Sequence, residues 1–174
     1  MEIFVKKFSD YKNKIDDCYE SLIEAECVYA DGLTNPKTKE RFLVSRSVVR
    51  EILGSKLDTS PKNVELVFNE NGKPYVNGNP IYFSVSHSYD LLVIGVHDSP
   101  IGVDVECMKE RNFAALAKEF GFDADDKESF YKQWTLYEAE VKMVGSTIFG
   151  HKKIEVENSY SQVMYDYMLS VVWR

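Results

Sequence analysis

The hexapeptide Ile101-Gly102-Val103-Asp104-Val105-Glu106 limits what this chain can fold into more than any other stretch. Its alternation is that of a strand, which sends Ile101, Val103 and Val105 into a core and leaves Gly102, Asp104 and Glu106 together on the opposite face. Two carboxylates side by side on an otherwise apolar strand repel each other unless water, a proton or a cation relieves them. Solvent is the ordinary relief, and a hard divalent cation is the simplest chemical one.

Around this strand the hydrophobic period changes twice. From Val64 onward apolar residues recur every second position between turn signals at Asn71-Gly72, Asn77-Gly78 and Asp98-Ser99-Pro100, which predicts short strands over 64–68, 81–85, 91–97 and 101–106. Before that, a strand over 3–8 leads to a helix started by Ser9 or Asp10, with Ile15, Tyr19, Leu22 and Ile23 on its apolar side. A second helix carries Phe42, Leu43, Val48, Val49, Ile52 and Leu53 and is ended by Gly54 and Ser60-Pro61. Its Arg41, Arg46 and Arg50 read as a solvated face. Further on, a helix over 113–120 stops at Gly121, and another runs from Asp125 or Asp126 to about Val144, where Gly145 caps it. There Glu138 and Lys142 are four apart, the spacing of an ordinary surface ion pair. Strands near 154–156, 163–165 and 168–173 close the chain. The second half loosely repeats the first, helices and then short strands, which predicts an α+β fold.

Composition narrows the function. With 174 residues, 44% hydrophobic and 13% aromatic, the chain can bury a core. A net charge of -7 argues against a nucleic-acid or anionic-membrane partner, since both need a basic field. Cys18, Cys27 and Cys107 are odd in number and lack metal or disulfide spacing, which suits a reducing compartment. Residues 1–7 hold no apolar run long enough for a signal peptide, and no segment approaches the roughly 20 apolar residues of a membrane span, so the expectation is a cytoplasmic protein.

Four segments gain meaning together. These are the turn Asn71-Gly72-Lys73-Pro74, the strand end Phe83-Ser84-Val85-Ser86-His87-Ser88, the acidic strand Gly102-Val103-Asp104-Val105-Glu106, and the helix Trp134-Thr135-Leu136-Tyr137-Glu138-Ala139-Glu140-Val141-Lys142. In this order and spacing the chain resembles the 4′-phosphopantetheinyl transferase family, in particular its monomeric two-domain branch. The resemblance covers roughly residues 41–144.

The resemblance implies two similar halves, residues 1–98 and 99–174, related by a pseudo-twofold axis with the ligand in the cleft between them. It implies that Asp104, Glu106 and Glu138 hold Mg²⁺, and that Arg41, Lys73, Ser86 and His87 contact coenzyme A, with Arg41 at its 3′-phosphate. Lys142 falls where the family has a lysine beside the pyrophosphate, and Glu138 is the expected base for the attacking serine. The implied reaction moves the 4′-phosphopantetheine group of coenzyme A to a serine of an apo acyl or peptidyl carrier protein. Tyr137 departs from the family pattern, which usually has a lysine there, and this keeps open a non-catalytic protein of the same fold that binds coenzyme A or a carrier protein. His97 and His151 are assigned no role.

Overall fold

The computed structural model describes residues 1–148 and 156–174. In chain order the elements are β1 (Glu2–Lys7), α1 (Ile15–Cys18), α2 (Glu24–Asp31), α3 (Pro36–Lys56), β2 (Leu66–Phe68), β3 (Pro74–Val76), β4 (Tyr82–Ser88), β5 (Leu91–His97), β6 (Ile101–Cys107), α4 (Phe113–Phe120), α5 (Lys127–Val144), β7 (Asn158–Met164) and β8 (Tyr167–Trp173). Helices and small sheets are mixed, as the sequence predicts. The strand expected at 154–156 lies outside the described residues except for Val156, which is not in a strand. Contacts divide the chain into two compact units, Lys6–Val67, and Met1–Val5 with Phe68–Arg174. No helix among the described residues is long and apolar enough to cross a membrane.

The first of these units is helical. The single helix expected after Ser9 is broken instead into a 3-10 turn at Phe8–Tyr11, α1, a second 3-10 turn at Tyr19–Ser21, and α2. The break has a local cause. Leu22 and Ile23 are extended, and the Glu26 carboxylate accepts the Ile23 N–H, so Ile23 caps a new helix rather than continuing an old one. Helix α3 starts where Asn35 accepts from the N–H groups of Lys37 and Thr38 with Pro36 behind it. It passes through Gly54 rather than stopping there. A Cβ at Gly54 would sit 2.9 Å from the Thr59 carbonyl oxygen, so this glycine admits the returning loop.

Nor are the arginines of α3 all solvated. Arg50 is 1% exposed, donating to both Glu26 oxygens and to the carbonyls of Pro61 and Val64. Burial of a guanidinium is tolerated when its donors are met in this way. Arg46 lies 3.5 Å from Glu26, and Arg41 sits over the ring of Phe8.

In the other unit, two three-stranded sheets run in the orders β1-β5-β4 and β6-β8-β7. Each therefore places its first strand beside its third and its third beside its second. Residues 91–96 of β5 are buried throughout, and Leu91 and Val93 pack on Ile101, Val103, Val105, Leu169 and Val171 of the other sheet. Gly95 lets the sheets approach, since a Cβ there would fall 2.5 Å from Val103 Cγ1. The opposite face of β6 and β8 is covered by α5, with Ala139 and Met143 on Val172. At Gly102 the approach is closest: a Cβ would lie 1.9 Å from the Ala139 carbonyl oxygen. Only glycine lets helix backbone and strand backbone meet here.

Candidate active site

That close approach builds the site. The register of β6 puts Asp104 and Glu106 on the face that Gly102 presents to α5, and the helical repeat brings Glu138 and Lys142 down onto them. One oxygen from each of Asp104, Glu106 and Glu138 can be chosen so that all lie within 4.8 Å of one another. Helix α5 is fixed at its start by a reciprocal cap between Asp126 and Ser129, and by a ring cluster in which Phe130 and Trp134 meet Phe113, Phe120 and Phe122. Thr135 anchors it to β8 through a 2.7 Å contact with Ser170.

Three side chains of β4 complete the acidic end. Ser84, Ser86 and Ser88 accept hydrogen bonds from the N–H groups of Val103, Val105 and Cys107, taking donors of β6 that do not face β8. Ser86 also donates to Asp104 Oδ1 at 2.7 Å, and Ser88 donates to Glu106 Oε2 at 2.9 Å. The Lys142 ammonium bonds Ser86 Oγ and Asp104 Oδ1, making the one close ion pair of the group among the described residues. Asp104 is 1% exposed, and its other oxygen, Oδ2, has no hydrogen-bond partner among the described residues.

Charge is left over. Burial raises the Glu138 carboxyl to about 7, with the negative Asp104 adding to the effect and Lys142 opposing it. Burial likewise raises Glu106, against the hydrogen bond from Ser88. Among the described residues, three converging carboxylates, an unpartnered buried oxygen and a single close ammonium match the donor set of a hard divalent cation, which takes oxygen ligands and relieves this repulsion. The residues therefore fit such an ion.

Beside the acids opens a cleft of about 230 Å³ whose lining includes Asn71, Lys73, Phe83, Ser84, Lys142 and Ser146. The turn before β3 grips the end of α5 here. Asn69 and Asn71 both donate to the Gly145 carbonyl, and Lys73 Nζ donates to the Met143 carbonyl at 2.8 Å. These side chains satisfy carbonyls that a helix end leaves open, and a cation suits that end of the dipole. Burial lowers the Lys73 ammonium to about 8.

No protein-family model matches the chain. Curated relatives do. Over 162 residues it is 26% identical to the 4′-phosphopantetheinyl transferase HetI of a Nostoc species, covering 83% of this chain and 68% of the relative. Over 126 residues it is 27% identical to the 4′-phosphopantetheinyl transferase gsp of Aneurinibacillus migulanus, covering 66% and 52%. It is 31% identical over 97 residues to the 4′-phosphopantetheinyl transferase AcpT of Salmonella typhi, covering 48% and 50%. All three of these relatives are named 4′-phosphopantetheinyl transferases, and the chain is similar to them. It spans between about half and two thirds of the length of the relatives it matches.

Of the residues that the 4′-phosphopantetheinyl transferase resemblance singled out, Asp104, Glu106, Glu138, Lys142 and Ser86 meet in one place, and Lys73 lines the adjoining cleft. His87 is exposed and, by strand alternation, points away from Ser86 and Ser88. Arg41 belongs to the helical unit. Tyr137, at the position of the usual lysine, donates to the Ile148 carbonyl and packs near Phe120 and Phe122. Sequence reading missed Ser84, Ser88, Asn69 and Asn71. Serine at every second position of a strand was the available signal for the first two, and the Asn-x-Asn-x-Lys spacing ahead of β3 for the others.

Proposed function

We propose that this chain transfers the 4′-phosphopantetheine group of coenzyme A to a serine of an apo acyl or peptidyl carrier protein, with Mg²⁺ held by Asp104, Glu106 and Glu138. The observation that carries the reading is the convergence of these three carboxylates, drawn from β6 and α5, beside the Lys142 ammonium. When bound, the ion supplies Lewis-acid neutralisation of the diphosphate. Lys142 offsets charge on the departing 3′,5′-ADP, and Lys73 adds a second ammonium at the cleft. Glu138, beside the ion, is the proposed base for the proton of the carrier serine, directly or through a water. Phosphoryl transfer needs position and charge compensation, so no enzyme nucleophile is required.

The two halves, 1–98 and 99–174, are part of the same proposal. Supporting them, the strand order first-third-second recurs in the two sheets, and each sheet has a hairpin turned by a Tyr-Asp pair, Tyr89-Asp90 and Tyr165-Asp166, with the tyrosine left-handed. The cleft draws its lining from both sides of residue 98. The working form proposed is a cytoplasmic monomer, which gel filtration tests.

Incubation with coenzyme A, Mg²⁺ and a panel of apo carrier proteins should add the mass of phosphopantetheine to at least one, and Asp104→Ala should abolish the gain. Tyr137 favours a second reading, a coenzyme A binder without transfer, because the turn of α5 beside Glu138 carries a phenol where the family has a lysine. Calorimetric binding of coenzyme A with no mass gain on any carrier would favour that reading.

A further inference from the structure

The serines of β4 are equivalent toward the main chain of β6 and unequal toward its side chains. All three accept an N–H from β6, at 3.1, 3.2 and 3.1 Å for Ser84, Ser86 and Ser88. Asp104 and Glu106 stand beside the second and third of these contacts, whereas the matching residue beside Ser84 is Gly102, which offers no carboxylate. Asp104 is held twice, by Ser86 and by Lys142. For Glu106 the hydrogen bond that the structure gives is from Ser88, a buried hydroxyl whose own oxygen is fixed by the Cys107 N–H.

We propose that Ser88 is a positioning residue for the divalent-ion site, holding Oε2 of Glu106 so that this carboxylate meets those of Asp104 and Glu138 without first having to be ordered. A glutamate has three rotatable bonds, and freezing them at the moment of binding costs affinity that a fixed neighbour avoids. The inference rests on the reading of the three acids as ion ligands. It assigns Ser88 a role distinct from that of Ser84, although the two make the same main-chain bond.

The test titrates Mn²⁺ alone into the full chain, with no coenzyme A present to bind the ion itself, and counts free Mn²⁺ by electron paramagnetic resonance. Urea midpoints are taken on the same variants. Ser88→Ala should weaken Mn²⁺ binding about tenfold or more, the usual effect of removing a partner that orients a metal ligand. Ser88→Thr should restore it. Ser84→Ala should lower the urea midpoint as Ser88→Ala does while leaving Mn²⁺ affinity unchanged. Equal Mn²⁺ affinity in Ser88→Ala and wild type, or an equal loss in Ser84→Ala, would overturn the assignment while leaving the ion site standing. A wild-type chain that takes up no Mn²⁺ would remove the ion site and the assignment with it.

Discussion

At the scale of single residues, burial and charge pull against each other in the acid cluster. Asp104 has one oxygen held by Ser86 and Lys142 and the other without a hydrogen-bond partner among the described residues. Asp104→Asn keeps the shape and removes the charge, so transfer should fall by about 100-fold or more. Assay of phosphopantetheine loading checks this, and a loss under threefold would exclude Asp104 from the chemistry. Glu138 gives a prediction with a definite sign. Its folded pKa, about 7, lies above the ordinary 4.5, so the folded chain holds more protons than the unfolded one between these values. Its contribution to stability therefore falls as pH rises from about 4.5 to about 7 and stays low above that. Glu138→Gln, studied in a chelator, should raise the melting temperature at pH about 8 and leave it nearly unchanged at pH about 4.5. Thermal scans at both values would show it, and destabilisation at the higher pH would contradict it. In the wild type, Mn²⁺ affinity should increase as pH rises through about 7, because the ion competes with the Glu138 proton.

At the scale of elements, what matters is how α5 lies on β6. Gly102→Ala would drive a Cβ into the Ala139 carbonyl, and helix and strand would have to part. The expected cost is about 3 kcal/mol, at the upper end for overpacking, seen as a lower urea midpoint together with weakened Mn²⁺ binding as Glu138 leaves the trio. The same element shows what sequence could tell. Alternation over 101–106 and the four-residue spacing of Glu138 and Lys142 were enough to give both faces, because each is a property of one element. That the two faces meet depends on a backbone contact at Gly102, which no periodicity encodes. Glu138 and Lys142, read alone, were a surface pair; in the fold Lys142 reaches Asp104 instead. Ile23 and Gly54 misled for the opposite reason. Each carries a local signal that Glu26 and the 59–61 loop override.

At the scale of the molecule, the compact unit Lys6–Val67 is organised on Arg50, which ties α3 to Glu26 and to the carbonyls of Pro61 and Val64. Arg50→Ala leaves Glu26 without its closest partner and should cost about 3–5 kcal/mol. Hydrogen exchange should then show protection lost across residues 6–67 before it is lost across 68–174, and uniform loss would refute separate cooperative units. The sequence pattern could not announce this, since a buried arginine and a solvated one look alike until their partners are known. The join between β4 and β6 has another consequence. A main-chain ladder survives most substitutions on its strands, because every residue but proline brings a donor and an acceptor. Here the fastening resides in three side chains, Ser84, Ser86 and Ser88. Mutational drift at those three codons can unbutton β4 from β6 while each sheet keeps its own pairing and β5 keeps its apolar packing on β6 and β8, so this edge is preserved by spelling rather than by pattern.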